Sequence, residues 1–280
     1  MKEINSLRLS VTQRCNLSCP YCHREGELNP AKEISMEKIE EIIKNAKSIG
    51  IKKIKITGGE PLVREDIADV VGIIKKYNFE ELSLVTNGFL LDKYAFELKE
   101  AGLNRVNIGC DSLSSNILLK NVENIKSGLR AAKEAGLTPI KLNMVVLKGI
   151  NDKEIVKMIE FARENDAVLQ LIELINIDDE FYKKHYFSLK EIEKELEKKA
   201  MMVIKKDMHN RRQYDLGDVM IEIVRPFTKD FCQNCTRLRI TSDGRIKPCL
   251  MRNDNLIDFK DKCSLIEAIK EKGVLYVRNR

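Results

Sequence analysis

The sequence has no tryptophan, three histidines and six prolines among its 280 residues. Aromatic residues amount to 6%, so no stacking platform for nucleobases stands out. No apolar run approaches the roughly 20 residues that span a bilayer, and residues 1–5 carry no apolar signal region. No stretch has the Pro/Gly/Ser composition of a linker, and no segment repeats. With 43% hydrophobic and 33% charged residues, disordered and low-complexity classes are excluded. Neither charge sign dominates: 49 basic against 43 acidic residues give +6. That suits an anionic ligand without requiring nucleic acid. Together these absences predict a cytoplasmic globular protein with neither a membrane nor a nucleic-acid partner.

Cysteine, by contrast, is plentiful, at eight residues. A reducing compartment disfavours disulfides, so clustered cysteines there point to metal or redox chemistry. Six of them fall in two groups, Cys15, Cys19, Cys22 and Cys232, Cys235, Cys249. Cys110 and Cys263 stand alone and read as small buried hydrophobes.

Hydrophobic periodicity organises the chain. Short alternating runs predict strands over 7–11, 51–56, 82–85, 105–108, 140–146 and 168–174. Amphipathic runs between them predict helices over 35–49, 65–77, 90–101, 121–135 and 152–165. Ser35 is the N-cap of the first helix, and Gly50, Gly102 and Gly136 end theirs. Six strand–helix units, the last lacking its helix, mean a parallel sheet with right-handed crossovers. The expected fold class is α/β, an incomplete six-unit TIM-like barrel over residues 1–175. Residues 176–280, with a charged helix over 189–199 and further strands, form an α+β extension that closes it.

In such a barrel the apolar strand face meets the helices. Leu7, Leu9 and Val11 take that face, as do Ile54 and Ile56, and Ile140, Leu142 and Met144. Their neighbours Arg8, Lys53, Lys55 and Lys141 then point inward. Buried cations are rarely left unpaired, so this interior asks for a polyanion.

The first cysteine group is CxxxCxxC. Zinc in a structural site takes four ligands, and His185 or His209 could complete such a knuckle. An iron–sulfur cube also needs four ligands, and three thiolates leave one iron open for chemistry. Thr57-Gly58-Gly59-Glu60-Pro61, Thr86-Asn87-Gly88 and Asp111-Ser112-Leu113 each follow a strand, on the catalytic face of a parallel barrel. The second group is CxxC-x13-C, with an Asp243-Gly244 turn folding Cys249 back. Cys263 could close it as a fourth ligand. Arg237 and Arg239 alternate with Leu238 and face the same way, as phosphate-binding forks would.

CxxxCxxC with Tyr21 as the aromatic, followed by Gly58-Gly59-Glu60-Pro61, resembles the radical S-adenosylmethionine superfamily. Adding CxxC-x13-C and the run Cys235-Thr-Arg-Leu-Arg239, the chain resembles the GTP 3′,8-cyclase family of molybdenum cofactor biosynthesis over nearly its whole length. The resemblance implies a radical enzyme, a lyase, that carries two [4Fe–4S] clusters. Cys15, Cys19 and Cys22 would hold the cluster that binds and cleaves S-adenosylmethionine. Cys232, Cys235 and Cys249 would hold the one that binds guanine. Tyr21, Gly58, Gly59, Glu60 and Gly109 would contact S-adenosylmethionine. Arg8, Lys53, Lys55, Thr86, Lys141, Arg237, Leu238 and Arg239 would bind GTP, whose triphosphate carries about four negative charges, too many for one or two lysines to balance.

The product would be (8S)-3′,8-cyclo-7,8-dihydroguanosine 5′-triphosphate, handed to cyclic pyranopterin monophosphate synthase. The enzyme would draw electrons from a donor the sequence does not name, and a homodimer is compatible. The chain departs from the family pattern at Gly109 (serine), Gln170 (arginine) and Ile175 (methionine). It ends Val277-Arg-Asn-Arg280 where many members end Gly-Gly. Two other readings compete: another radical S-adenosylmethionine enzyme with an auxiliary cluster, such as a peptide-modifying maturase, and an iron–sulfur redox sensor that binds nucleic acid. Inward cations favour neither.

Overall fold

Strand alternation sets the architecture. In a computed structural model of the chain, residues 3–27, 33–114, 122–226 and 228–274 are described. The first part contains strands β1 (Ser6–Ser10), β2 (Lys53–Thr57), β3 (Glu81–Thr86), β4 (Arg105–Gly109), β5 (Lys141–Val146) and β6 (Val168–Glu173). Between them run helices α1 (Met36–Ser48), α2 (Ile67–Lys75), α3 (Leu91–Glu100), α4 (Val122–Glu134) and α5 (Ile155–Glu164). Each strand pairs in parallel with the next. Ser35 caps α1 by accepting from the Lys38 amide at 3.3 Å. Gly102 ends the α3 segment with φ 107°, a conformation open to glycine. Residue 121, the expected start of the fourth helix, and residues 277–280 lie outside the described residues.

The apolar strand face is fully covered. Leu7, Leu9, Ile54 and Ile56 are buried with Ile39, Ile42 and Ile43 of α1 and Val70, Val71 and Ile74 of α2. Each such side chain contributes about 1.5–3 kcal/mol on leaving water. The opposite face of the same strands stays polar, as the alternation requires.

The second part contains α6 (Asp179–His185), α7 (Lys190–Lys199), β7 (Met202–Lys205), β8 (Arg212–Asp215), β9 (Met220–Val224), α8 (Lys229–Gln233), β10 (Arg237–Ile240), β11 (Ile246–Lys247) and α9 (Lys262–Val274). It does more than cap the barrel. It adds strands to both edges of the sheet, β9 parallel to β6 and β10 parallel to β1. The eleven strands run β11-β10-β1-β2-β3-β4-β5-β6-β9-β8-β7. This is an incomplete TIM-like barrel, with its gap bridged by loops rather than a ladder. The His209 amide donates to the Asn234 carbonyl at 2.7 Å, and Arg237 Nη2 reaches Met208 Sδ at 2.9 Å.

None of the cysteines forms a disulfide. Cys110 is buried in the core as expected, but Cys263 is exposed. It stands in the first turn of α9, where its amide is held by Asp261 Oδ1 at 2.7 Å, so helix geometry turns its thiol away from the core. Among the described residues, no helix is long and apolar enough to cross a membrane.

Asn151 shows how the strand ends are held. Its fully buried side chain donates to the carbonyls of Asp111 at 2.7 Å and Val145 at 2.8 Å. It also accepts from the Leu147 amide at 2.7 Å. Asn151→Ala leaves these backbone groups without a partner, at a cost of about 3 kcal/mol. Thermal unfolding of the purified protein should shift down by about 6–12 °C; an unchanged midpoint would show that water replaces the side chain.

Candidate active site

The polar face of the sheet encloses one cavity of about 1820 Å³. All six clustered cysteines line it. Register places the cations in rows across the strands. Arg239, Arg8 and Lys55 are in-register neighbours, and Arg237, Ser6 and Lys53 form the row one step nearer the strand starts. The parallel pairing of three strands thus gathers five cations on one wall.

Their pairing differs. Arg8 Nη2 donates to Glu25 Oε1 at 2.5 Å. Lys141 Nζ lies 2.5 Å from Glu222 Oε2, and Arg211 Nη1 lies 2.6 Å from Glu222 Oε1. Arg105, half-buried, pairs with Glu81 at 2.7 Å. Lys53, Lys55, Arg237 and Arg239 have no carboxylate at ion-pair distance among the described residues, and Lys53, at the start of β2, is exposed rather than buried in the interior. Lys55 donates to Asn107 Oδ1 at 3.0 Å, and Arg237 meets only the Met208 sulfur. The Nε–H groups of Arg8, Arg237 and Arg239 are buried without a hydrogen-bond partner. Burial, with Arg105 next in effect, drives the Lys55 pKa down. Burial and the neighbouring Arg8, Arg239 and Arg211 act the same way on Arg237. A guanidinium does not give up its proton, so Arg237 stays charged in this unfavourable setting.

Glu222, on β9, is wholly buried, and Gln213 Nε2 also donates to it at 2.9 Å. Burial pushes its carboxyl up, but Arg211 and Lys141 outweigh that and hold it at about 2. Two cations share one carboxylate, so this cluster also carries net positive charge. Lys141 is therefore pre-paired, which its strand pattern did not reveal. Arg211, Arg105, Glu25 and Glu222 are cavity residues that the sequence reading missed. Only the alternation of Glu222 with Ile221 and Ile223 could have flagged one of them.

The first cysteine loop leaves β1 and is held by an extension of the β1–β2 pairing. The Gly59 amide donates to the Thr12 carbonyl at 2.8 Å, and the Glu60 amide to the Arg14 carbonyl at 2.9 Å. This changes the reason for the two glycines. A Cβ on Gly58 would lie 2.4 Å from the Thr12 oxygen, and one on Gly59 would lie 2.4 Å from the Arg14 oxygen. The close approach is therefore by the cysteine loop's own backbone. Glu60 is buried with its carboxylate taken up internally, accepting from Thr86 Oγ1 at 2.7 Å and the Asn87 amide at 2.6 Å. Thr86, expected at the triphosphate, spends its hydroxyl on Glu60 and the Gly88 amide. Tyr21 donates to Asp111 Oδ2 at 2.5 Å. Burial and that carboxylate raise its pKa. Gly109, at the end of β4, and Gln170 line the cavity. Leu238 does not: strand alternation turns it into the core, fully buried between its two arginines.

The donor set fits iron–sulfur clusters. Each group offers three thiols, and Cys263 does not line the cavity. Among the described residues, no three ligating side chains form a cage for a single ion. Backbone amides already point at sulfur, Leu17 at Cys15 and Arg24 at Cys22, both at 3.4 Å. Burial pushes the Cys235 thiol up, but Lys272, Arg239 and Arg237 bring it down to about 7. His209 stacks on Phe231 with ring centroids 3.7 Å apart. Burial and the surrounding arginines keep it neutral.

Residues 9–162 match the Radical SAM superfamily, and residues 167–272 match Molybdenum Cofactor Synthesis C. The chain is 45% identical to a probable GTP 3′,8-cyclase of Methanothermobacter marburgensis, covering 98% of this chain and 94% of that one. It is 43% identical to one from Archaeoglobus fulgidus, covering 96% and 93%. The chain belongs to the GTP 3′,8-cyclase family. Cyclases of this family are radical S-adenosylmethionine enzymes with two [4Fe–4S] clusters, serving molybdenum cofactor biosynthesis. In fold it is similar to Streptococcus suis SuiB bound to S-adenosylmethionine, with TM-score 0.70 and 16% identity, covering 98% of this chain and 66% of that one. It is likewise similar to anSMEcpe with bound AdoMet, with TM-score 0.70, 18% identity and coverage of 98% and 84%.

The Glu222 ion pair makes stability depend on pH. Its carboxyl sits at about 2 when folded against 4.5 when unperturbed. The pair's stabilisation is therefore complete above the unperturbed value and is lost as pH falls toward the folded one, about 3 kcal/mol in all. Glu222→Gln should lower the urea midpoint at pH 7. Between pH 4.5 and 2 it should flatten the acid dependence. Equal slopes in both proteins would refute the assignment.

Proposed function

We propose that this chain cyclises GTP to (8S)-3′,8-cyclo-7,8-dihydroguanosine 5′-triphosphate, with Lys55, Arg237 and Arg239 at the centre of the triphosphate seat. The observation that carries this is a wall of five cations, four of them without an ion-paired carboxylate among the described residues, in one cavity that both three-thiol groups line. Cys15, Cys19 and Cys22 hold one cluster, and Cys232, Cys235 and Cys249 hold the other. When bound, the first cluster and S-adenosylmethionine supply the one-electron chemistry.

The protein's own work is positioning. Tyr21, fixed by Asp111, and the main chain at Gly58, Gly59 and Gly109 line the S-adenosylmethionine end. Glu60 holds the loop after β3 against the first cysteine loop. Asn87 extends that link, donating to Asn16 Oδ1 at 2.7 Å. Arg8, Lys53 and Lys141 widen the seat around its unpaired centre. Residues 1–175 act as the barrel, and residues 176–280 bring the second thiol group and both arginines of β10. The enzyme works in the cytoplasm, takes electrons from a separate donor and passes its product to cyclic pyranopterin monophosphate synthase.

The test is anaerobic. Reconstituted enzyme should hold about eight irons per chain and form the cyclised nucleotide from GTP, S-adenosylmethionine and a strong reductant. Changing both Arg237 and Arg239 to Ala removes charge-assisted bonds of roughly 1.5–3 kcal/mol each. GTP affinity should fall at least about tenfold and product with it, while iron content holds. Normal GTP affinity in the double variant would reject the seat.

A further inference from the structure

The turn Arg24–Gly26 begins two residues after Cys22. Arg24 and Glu25 both have positive φ, 45° and 53°. Two consecutive non-glycine residues in that region are costly and persist only where the surroundings over-determine them. The turn delivers the Glu25 carboxylate, 7% exposed, into the cation wall. There Glu25 Oε1 accepts from Arg8 Nη2 at 2.5 Å and from Thr57 Oγ1 at 2.9 Å. Arg8 also donates to that hydroxyl at 3.2 Å. A carboxylate in a phosphate seat opposes the substrate's charge, so its place there needs another reason.

The turn's other contacts supply one. A Cβ on Gly26 would lie 2.3 Å from the carbonyl oxygen of Leu250, the neighbour of Cys249. Glu27 accepts from the Ser242 amide at 3.0 Å and its hydroxyl at 2.6 Å, on the β10–β11 connection. Residues 22–27 are thus fixed at one end to the first thiol group. At the other end they are tied to the β10–β11 connection and packed against the backbone beside Cys249, with Arg8 held between. Arg8 spends Nη2 on this triad, and its side chain, still 18% exposed, lines the cavity. A phosphate meeting the accessible part of Arg8 would put one guanidinium between two anions, the substrate on one side and Glu25 on the other.

We propose that Glu25 is a positioning residue that sets Arg8 for the substrate's phosphates and transmits their arrival to the loop carrying Cys22. This rests on the GTP reading above. The experiment uses reconstituted holoenzyme with S-adenosylmethionine. It records the electron paramagnetic resonance spectrum of the reduced first cluster with and without GTP, alongside GTP affinity by equilibrium dialysis. In the wild-type enzyme GTP should change the spectrum. In Glu25→Gln, iron content should hold and GTP should still bind within about threefold, since lost repulsion offsets a loosened Arg8. The GTP-induced spectral change should vanish.

Glu25→Asp keeps the charge but shortens the reach, and should restore part of the change. Should Glu25→Gln fail to load iron, Thr57→Val removes the bridging hydroxyl without touching the turn and should weaken the response. A wild-type response in Glu25→Gln, or in Thr57→Val where that substitute is needed, overturns the proposal. So does GTP binding by the wild-type enzyme with no spectral change. Failure of the wild-type enzyme to bind GTP is a different result: it rejects the substrate reading first.

Discussion

Positive charge enclosed without enough anions is the constraint on which this protein depends. A parallel sheet wrapped by helices must give one strand face to the core. The other face of β1, β2 and β10 carries Arg8, Lys53, Lys55, Arg237 and Arg239 in adjacent registers. Such a face would be unstable in a closed, dry barrel. Here the barrel is incomplete and its interior is a cavity of about 1820 Å³, so the cations line open space rather than a packed core. The open barrel and the cationic wall are two aspects of one solution.

The distribution of internal anions follows the same logic. Glu25 pairs with Arg8 of the wall and Glu222 with Lys141 and Arg211, and both carboxylates are buried. Burial opposes their charge, yet nearby cations hold both carboxyls at about 2. They therefore remain anionic throughout the neutral range. The stretch formed by Lys55, Arg237 and Arg239 has no carboxylate of its own.

Much of this was legible in the sequence because it depends on local periods. Alternation separates Leu7 and Leu9 from Arg8 whatever the tertiary context. Six strand–helix repeats allow few topologies. Cysteine spacing is a property of the chain itself. What escaped depends on residues distant in sequence. Nothing near Lys141 announces that Glu222 will face it 81 residues later. Gly58 and Gly59 look available to a ligand until the Thr12–Arg14 backbone is seen against them. Leu238 sits between two cavity-lining arginines, yet its side chain belongs to the core. That follows from the same period-two rule that exposes its neighbours.

The placement of β10 explains why the two thiol groups belong to one site although 210 positions separate Cys22 from Cys232. Had the second part only capped the barrel mouth, Arg237 and Arg239 would face solvent. Because β10 pairs in parallel with β1, its side chains continue the inward face of the first strand: Arg239 falls beside Arg8, and Arg237 beside Ser6. The β10–β11 turn then carries Cys249 back toward the same cavity. The segment after Cys22 meets it there, through the contact of Gly26 with the Leu250 carbonyl. One strand pairing therefore does three things. It extends the sheet past its six-strand limit, completes the cation wall and sets the distance between the two thiol groups. A slip of one residue in that pairing would turn both arginines into the core and expose Leu238. The apolar burial of Leu238 and Ile240 against Leu7 and Leu9 thus guards the register on which the chemistry rests.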